Sequence, residues 1–461
     1  MKNILFLIFC FMGAYIPSYA QGWSELGTGT AALHPNADIS TTCIDRFGNV
    51  YAAGGLDTAL YVVKWNGTSW MELGSGSTSP VSLFGEIATM VADSAGNIYV
   101  GGAPYSTPGT PPIHTVMKWD GTSWSDVGSG TGALVLNAEV LTLCMDRSGN
   151  LYAAGVFENS TGHTYVAKWD GTSWTELGTG TSSLKGNSEI DVIYTDAAGN
   201  LYAGGGFTDG AVDTIGNIYV AKWDGASWSE LGPGICHGYG EYYIYSITGD
   251  PAGNIYAAGK FADANGYYVA KWDGSMWSEL GTGAGILSAN DLITSMCWDN
   301  VGNLYATGFF TDSVSFLSGH EYVAKWNGST WSELGTGSSA LNANDWIFSV
   351  CSDVAGNIYA AGDFKDAAGY PYVAKYPSAT EGITSLHHTS EINLYPNPAT
   401  NEITIASPGK ITFVSITNPL GQTVFTHNYN KEPVQMDISY LSAGVYFVRI
   451  NESEVRRFVK E

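Results

Sequence analysis

The chain has 461 residues, 44% hydrophobic, 13% aromatic and 13% charged, with 58 Gly, 28 Tyr and 15 Trp. That profile suits many short strands joined by tight turns and disfavours long helices. A formal net charge of -24, with only 19 Lys and Arg, argues against nucleic acid as a partner.

Residues 1–20 read as a signal peptide: a basic "MKN", the apolar run "ILFLIFCFMGAYI", too short to span a bilayer, and "SYA" before Gln21 as a small-x-Ala cleavage site. No later stretch is long and apolar enough for a membrane helix, so no transmembrane segment is expected after export.

From Gln21 the chain opens on "QGWSELGTGT", the second half of a phrase that recurs complete as "VAKWDGTSWTELGTGT" and "VAKWNGSTWSELGTGS". The pattern D-x-x-G-N-[VIL]-Y-[AV]-x-G occurs at Asp45, Asp93, Asp146, Asp196, Asp250, Asp299 and Asp353. The interval is roughly 50 residues, in the range of propeller repeats. Each copy divides into four segments: a first strand with Ile or Val six residues before the Asp, the D-x-x-G-N turn and second strand, a variable loop, and a "YVAKW" strand. The last of these runs through Asp-Gly or Asn-Gly into "SWSELG", and that dipeptide is a strong hairpin signal. Trp65 with Trp70, and Trp169 with Trp174, are expected to pair across it.

The seventh copy stops at "YVAKYPSATEG" without its W-x-E-L-G, which residues 22–27 supply. The predicted fold is therefore all-β: a seven-bladed β-propeller over residues 21–376, closed by the N-terminal strand. The repeat resembles the bacterial β-propeller repeats of the SBBP type, a resemblance that implies a fold and little about function.

Cys10 leaves with the signal. Cys43, Cys144, Cys297 and Cys351 all sit two residues before a turn Asp and read as small buried apolar positions. No CxxC or His-pair spacing supports a metal site.

After Tyr376 the repeat vocabulary ends. Residues 377–391 read as a linker and 392–461 as a small C-terminal β-sandwich of short strands. This tail resembles the C-terminal sorting domain, type A, of the type IX secretion system. The resemblance is carried by "YPNPA" with Tyr395, Pro396, Asn397 and Pro398, by "NPLGQTV" with Gly421, by "LSAGVYFVRI" with Gly444 and Tyr446, and by "RRFVK" with Lys460. It implies the type IX translocon as partner, passage through the periplasm, and a secreted or outer-membrane-surface protein. His387, His388 and His427 lack acidic or Cys partners at ligand spacing and read as solvated.

Variable loops on a rigid scaffold are where binding usually resides. On the face these loops share, the residue seven before each turn Asp reads Asp38, Glu86, Glu139, Glu189, Tyr243, Leu292 and Trp346 around the ring, with Asp291 and Asp345 one position earlier. "ICHGYGEYYIY" adds His237, Tyr239 and Tyr242 beside Tyr243. Carboxylates for hydroxyls or cations and aromatics for stacking favour a non-enzymatic binding module for glycan or another extracellular ligand. The competing bland reading makes the acids solvated strand ends. Calcium is the one cation left open, although no EF-type loop is present. An adhesion or scaffold protein that binds other proteins is the alternative. A hydrolase or lyase using a rim acid with His114, His163, His237 or His320 ranks lower, since no G-x-S-x-G, H-E-x-x-H or phosphate loop occurs.

Overall fold

Each repeat folds around its turn aspartate. Asp146 Oδ1 accepts the backbone N–H groups of Ser148 and Asn150 at 2.9 Å, while Oδ2 accepts Asn150 Nδ2 at 2.6 Å and the Tyr152 hydroxyl at 3.1 Å. Gly149 takes φ 84°, which the tight turn requires. The Lys168 ammonium lies 5.6 Å from the Tyr152 ring centroid. Burial pushes the Asp146 carboxyl up, yet its hydrogen bonds outweigh that and hold it below its ordinary value. The same Asp–Asn–Tyr network recurs from Asp45 to Asp353. The Asp, Asn and Tyr of the motif thus have bonding tasks, and its turn glycine a conformational one.

The computed structural model describes residues 22–35, 37–54, 60–74, 84–104, 116–128, 139–208, 216–235, 242–313, 319–378, 393–407, 410–418, 423–451 and 454–461. The expected signal peptide, His114, His237, Tyr239, Gly421, His387, His388 and nearly all of the expected linker lie outside them. The chain divides into two compact units, Met1–Gly382 and Ile383–Glu461.

The first unit contains, among the described residues, seven four-stranded antiparallel sheets. In the first sheet the order is Ile39–Ile44, Val50–Gly54, Tyr61–Trp65, Trp70–Glu72, with Trp65 opposite Trp70 and their ring centroids 5.6 Å apart. Second strands such as Leu151–Gly155 are buried at every residue, as expected for strands covered on both faces. The seventh sheet takes its outer strand from the chain's start: Ser24 pairs with Lys375 and Glu25 with Ala374. First strands of successive sheets lie side by side, and Ile347–Ser352 in turn adjoins Ile39–Ile44. The arrangement is propeller-like.

Two series of hydrogen bonds stitch sheet to sheet. On the outside, an indole N–H donates to the carbonyl that ends the preceding outer strand: Trp124 to Leu73 at 2.6 Å, Trp174 to Val127 at 2.8 Å and Trp331 to Leu280 at 3.0 Å. The N-terminal segment takes both roles, with Trp23 donating to Leu334 and Leu26 accepting from Trp70, each at 2.8 Å. On the inside, a Ser or Thr hydroxyl accepts the N–H of the next first strand: Thr89 from Leu143 at 3.1 Å, Thr142 from Ile193 at 3.2 Å, and Ser349 from Thr42 at 3.3 Å.

The loops expected to vary freely are anchored in five of the sheets. Phe157, Phe207, Phe261, Phe310 and Phe364 are fully buried, each edge-on to a tyrosine that starts the return, as for Phe157 and Tyr165 at 4.9 Å. Cys43, Cys144, Cys297 and Cys351 are free thiols; burial pushes Cys351 up to about 12.

The second unit carries a three-stranded sheet (Asn393–Tyr395, Glu402–Ala406, Val434–Asp437) and a four-stranded sheet ordered Thr423–Lys431, Ile411–Thr417, Gly444–Ile450, Glu454–Lys460. Ile403, Ile405, Ile411, Val414, Val448 and Phe458 build their common core. Asn397 ties the ends of this unit together, and Tyr446 makes a local bond. Asn397 donates to the Arg457 carbonyl at 3.1 Å and accepts the Val459 N–H at 2.9 Å, and the Tyr446 hydroxyl bonds the Ser442 carbonyl at 3.0 Å.

Trp23→Ala removes the indole bond to Leu334 and an edge contact with Tyr376 at 5.5 Å. It should destabilise the first unit by about 3–5 kcal/mol, read from urea unfolding midpoints. An unchanged midpoint would show that the Trp23 side chain contributes nothing to holding the seventh sheet.

Candidate ligand-binding rim

The glycine that closes each motif positions the rim. A Cβ built on Gly54 would lie 2.1 Å from the carbonyl oxygen of Asp38. The same conflict arises between Gly102 and Glu86 at 2.0 Å, Gly155 and Glu139 at 2.2 Å, Gly205 and Glu189 at 2.2 Å, Gly259 and Tyr243 at 2.0 Å, Gly308 and Leu292 at 2.2 Å, and Gly362 and Trp346 at 2.1 Å. Only a residue without a side chain lets the first strand come so close. In each first strand a register shift follows within a few residues, as between Ile39 and Thr41. The residue after the glycine then bonds back: Val156 N–H to the Glu139 carbonyl at 3.1 Å, Phe309 to Leu292 at 3.1 Å, and Asp363 to Trp346 at 2.9 Å.

Six of the eight expected ligand-binding residues, Asp38, Glu86, Glu139, Glu189, Tyr243 and Trp346, thereby occupy equivalent places. One arc is aromatic. Trp346 is 45% exposed and stacks on Phe309 with centroids 4.3 Å apart and planes 8° from parallel. Phe348 closes the group at 5.9 Å from Phe309. In the fifth sheet Tyr243 stacks on Tyr245 at 5.7 Å and 3°, with the Lys260 ammonium 5.7 Å from the Tyr243 ring.

The other arc is acidic. Burial and then the neighbouring Glu86 raise the Glu139 carboxyl. Burial and then Asp363 raise Asp38, against the pull of Lys365, which pairs with Asp363 at 3.2 Å. Burial, helped by Glu189, pushes Asp191 up to about 7, and its Oδ2 is buried without a hydrogen-bond partner. Ser188 Oγ donates to Glu189 Oε2 at 2.5 Å.

Sequence reasoning missed Tyr245, Phe348 and Asp191, each two residues beyond a rim position and each the residue at which its first strand shifts register. It also missed Phe309 and Asp363, which immediately follow the motif glycine. Reading two more columns of the repeat finds all five. Of the histidines offered for catalysis that are described, His163 places Nδ1 3.0 Å from the Thr161 hydroxyl, and His320 donates its backbone N–H to Asp312 at 2.8 Å. Among the described residues no group of three or more His, Cys, Asp or Glu is placed to hold a metal ion. Two cavities lie in other parts of the sheets, one of about 200 Å³ lined by Asp263, Tyr268, Trp277 and Glu279, the other of about 250 Å³ lined by Tyr305, Lys325 and Tyr376.

Fold and tail together define a surface-directed repeat protein with propeller-like sheets. Residues 393–461 match the family described as the secretion system C-terminal sorting domain. That type IX sorting tail directs the protein to the cell surface or beyond. Among the described residues no helix is long and apolar enough to cross a membrane. No curated protein matches the chain. Among solved structures it is similar to the extracellular domain of BT4673 from B. thetaiotaomicron, described as part of a hybrid two-component system, with TM-score 0.52, 13% identity, and coverage of 89% of this chain and 47% of that one. PorZ of Porphyromonas gingivalis, described as an essential surface component of the type IX secretion system, gives TM-score 0.49 and 16% identity over 93% of this chain and 60% of that one. The WD40 β-propeller domain of Doa1 gives TM-score 0.48 and 12% identity over 78% of this chain and 98% of that one. The chain thus spans about half to three fifths of the first two, and the likeness concerns fold alone.

Asp191 gives the rim a pH signature. A carboxyl raised in the folded state carries no penalty below about pH 4, where both states hold the proton, and an increasing one as pH climbs to about 7, after which the penalty is constant. Asp191→Asn should therefore gain stability relative to wild type between about pH 4 and 7 and no further above, measured by urea midpoints. A difference that does not change with pH would show that Asp191 ionises freely.

Proposed function

We propose that residues 21–376 form a seven-bladed β-propeller of the SBBP repeat type, closed by its N-terminal strand, and that its rim binds an extracellular glycan. Residues 1–20 serve as its signal peptide, 377–391 as a linker, and 392–461 as the sorting domain engaged by the type IX translocon. The circular adjacency of first strands and the unbroken series of indole bonds through Trp23 and Leu26 support the closed ring. The observation that carries the binding role is the half-exposed Trp346 stacked on Phe309 beside rim carboxylates, since sugar rings lie on aromatic faces and their hydroxyls donate to carboxylates. No catalytic role is assigned, and calcium stays an open additional ligand of the acidic arc.

A protein partner is the second reading. Phe47 (61%), Val301 (78%) and Val354 (72%) are exposed in the turns of the first, sixth and seventh sheets, on elements that neighbour one another. A glycan array decides between the two. Binding by wild type, lost in Tyr243→Ala and Trp346→Ala, is the expected result. Silence across the array would reject the glycan reading and favour the turn-side surface.

A further inference from the structure

We infer that the seam between the sixth and seventh sheets holds a binding site for one small aromatic acid, separate from the rim and independent of what the rim binds. Six third strands end in tryptophan, at Trp65, Trp119, Trp169, Trp223, Trp272 and Trp326, and each indole meets a second one across its hairpin. The six-membered ring also leans on the preceding sheet. A Cβ built on Gly27 would meet Trp65 Cζ3 at 2.9 Å, and one on Gly178 would meet Trp223 Cζ3 at 3.0 Å. The seventh third strand ends in Tyr376 instead, edge-on to Trp23 at 5.5 Å. A Cβ on Gly335 would meet Tyr376 Cε2 at 3.3 Å, so this ring occupies the equivalent place without the indole's second ring. It forms one wall of the cavity of about 250 Å³.

The chemistry of the walls selects the occupant. Tyr305, Tyr376, Leu334 and Ile358 offer rings and aliphatic groups. Lys325 lines the same space, its ammonium 5.8 Å from the Tyr305 ring centroid and without a carboxylate partner among the described residues. Asp299 lines it too, but its acceptors are already taken. Oδ1 accepts the backbone N–H groups of Val301 and Asn303 at 3.0 and 2.8 Å, and Oδ2 accepts Asn303 Nδ2 at 2.6 Å and the Tyr305 hydroxyl at 3.0 Å. The charge left to recognise a ligand is therefore the ammonium, and its match is a carboxylate. Size sets the rest. An apolar cavity of about 150 Å³ takes a benzene ring, so one of about 250 Å³ takes a fused two-ring system and not a chain of sugars. Val301, also in the lining, is 78% exposed and marks the mouth at the turns. Asn300 Nδ2 donates to the Val354 carbonyl at 2.8 Å and ties the two turns across the seam, which fixes that mouth before a ligand arrives.

The test uses the chain without its signal peptide in calorimetric titrations with indole-3-acetate, neutral indole and cationic tryptamine. Indole-3-acetate should bind at least about tenfold more tightly than tryptamine, with indole between them. Tyr376→Trp, which restores the residue of the other six sheets, should abolish binding of all three while the urea midpoint stays or rises. Val301→Trp, at an exposed turn position, should weaken all three by crowding the mouth. Lys325→Gln should remove the preference for the acid and leave the affinity for indole unchanged. Equal affinity for the acetate and the amine would overturn the acid. Failure of all three to bind at millimolar concentration, or binding that survives both tryptophan variants, would overturn the site.

Discussion

At the end of each second strand a backbone carbonyl lies about where a side chain would begin, and glycine is the residue that permits it. This single close approach, repeated at Gly54, Gly102, Gly155, Gly205, Gly259, Gly308 and Gly362, couples scaffold to surface. It holds the start of the first strand against the end of the second, which puts Asp38 through Trp346 at matching places. Any larger residue there would push back the strand that presents the rim, so binding residues can change freely only while the glycines do not.

The remaining architecture shields this contact from strain. Turn aspartates gather backbone N–H groups, an asparagine amide and a tyrosine hydroxyl, so the hairpin leading into each second strand arrives with few choices of conformation. Between sheets the links are few but buried or half-buried: an indole to a carbonyl outside, a hydroxyl to an N–H inside. Each is worth about 1 kcal/mol net, small beside the apolar burial, but each also costs more when broken than it contributes when made. The sheets are thereby held in register without a disulfide among the described cysteines.

Much of this was legible in the residues. The turn network follows from Asp, Gly, Asn and Tyr at fixed spacing, and the pairing of Ser24 with Lys375 follows from a missing W-x-E-L-G, because strands counted one short in the last repeat must be found elsewhere. The tail announced itself through Asn397, whose amide reaches the distant carbonyl of Arg457, and Tyr446, whose hydroxyl bonds the nearby carbonyl of Ser442. The rim was legible only in part. Its first column was visible, but the stacking of Trp346 on Phe309 joins two repeats some forty residues apart, and no periodicity within one repeat reveals a partner in the next. The anchoring of loops by Phe157 and its equivalents was also hidden, since an apolar residue at a loop's start looks like the end of a strand.

The chain's repeats and its sheets are out of phase by one strand, because Ser24–Glu25 completes the sheet begun near the other end. The terminal pairing therefore joins the segment synthesised first to the copy synthesised last, so the seventh sheet gains its outer strand only after all the intervening copies have been made.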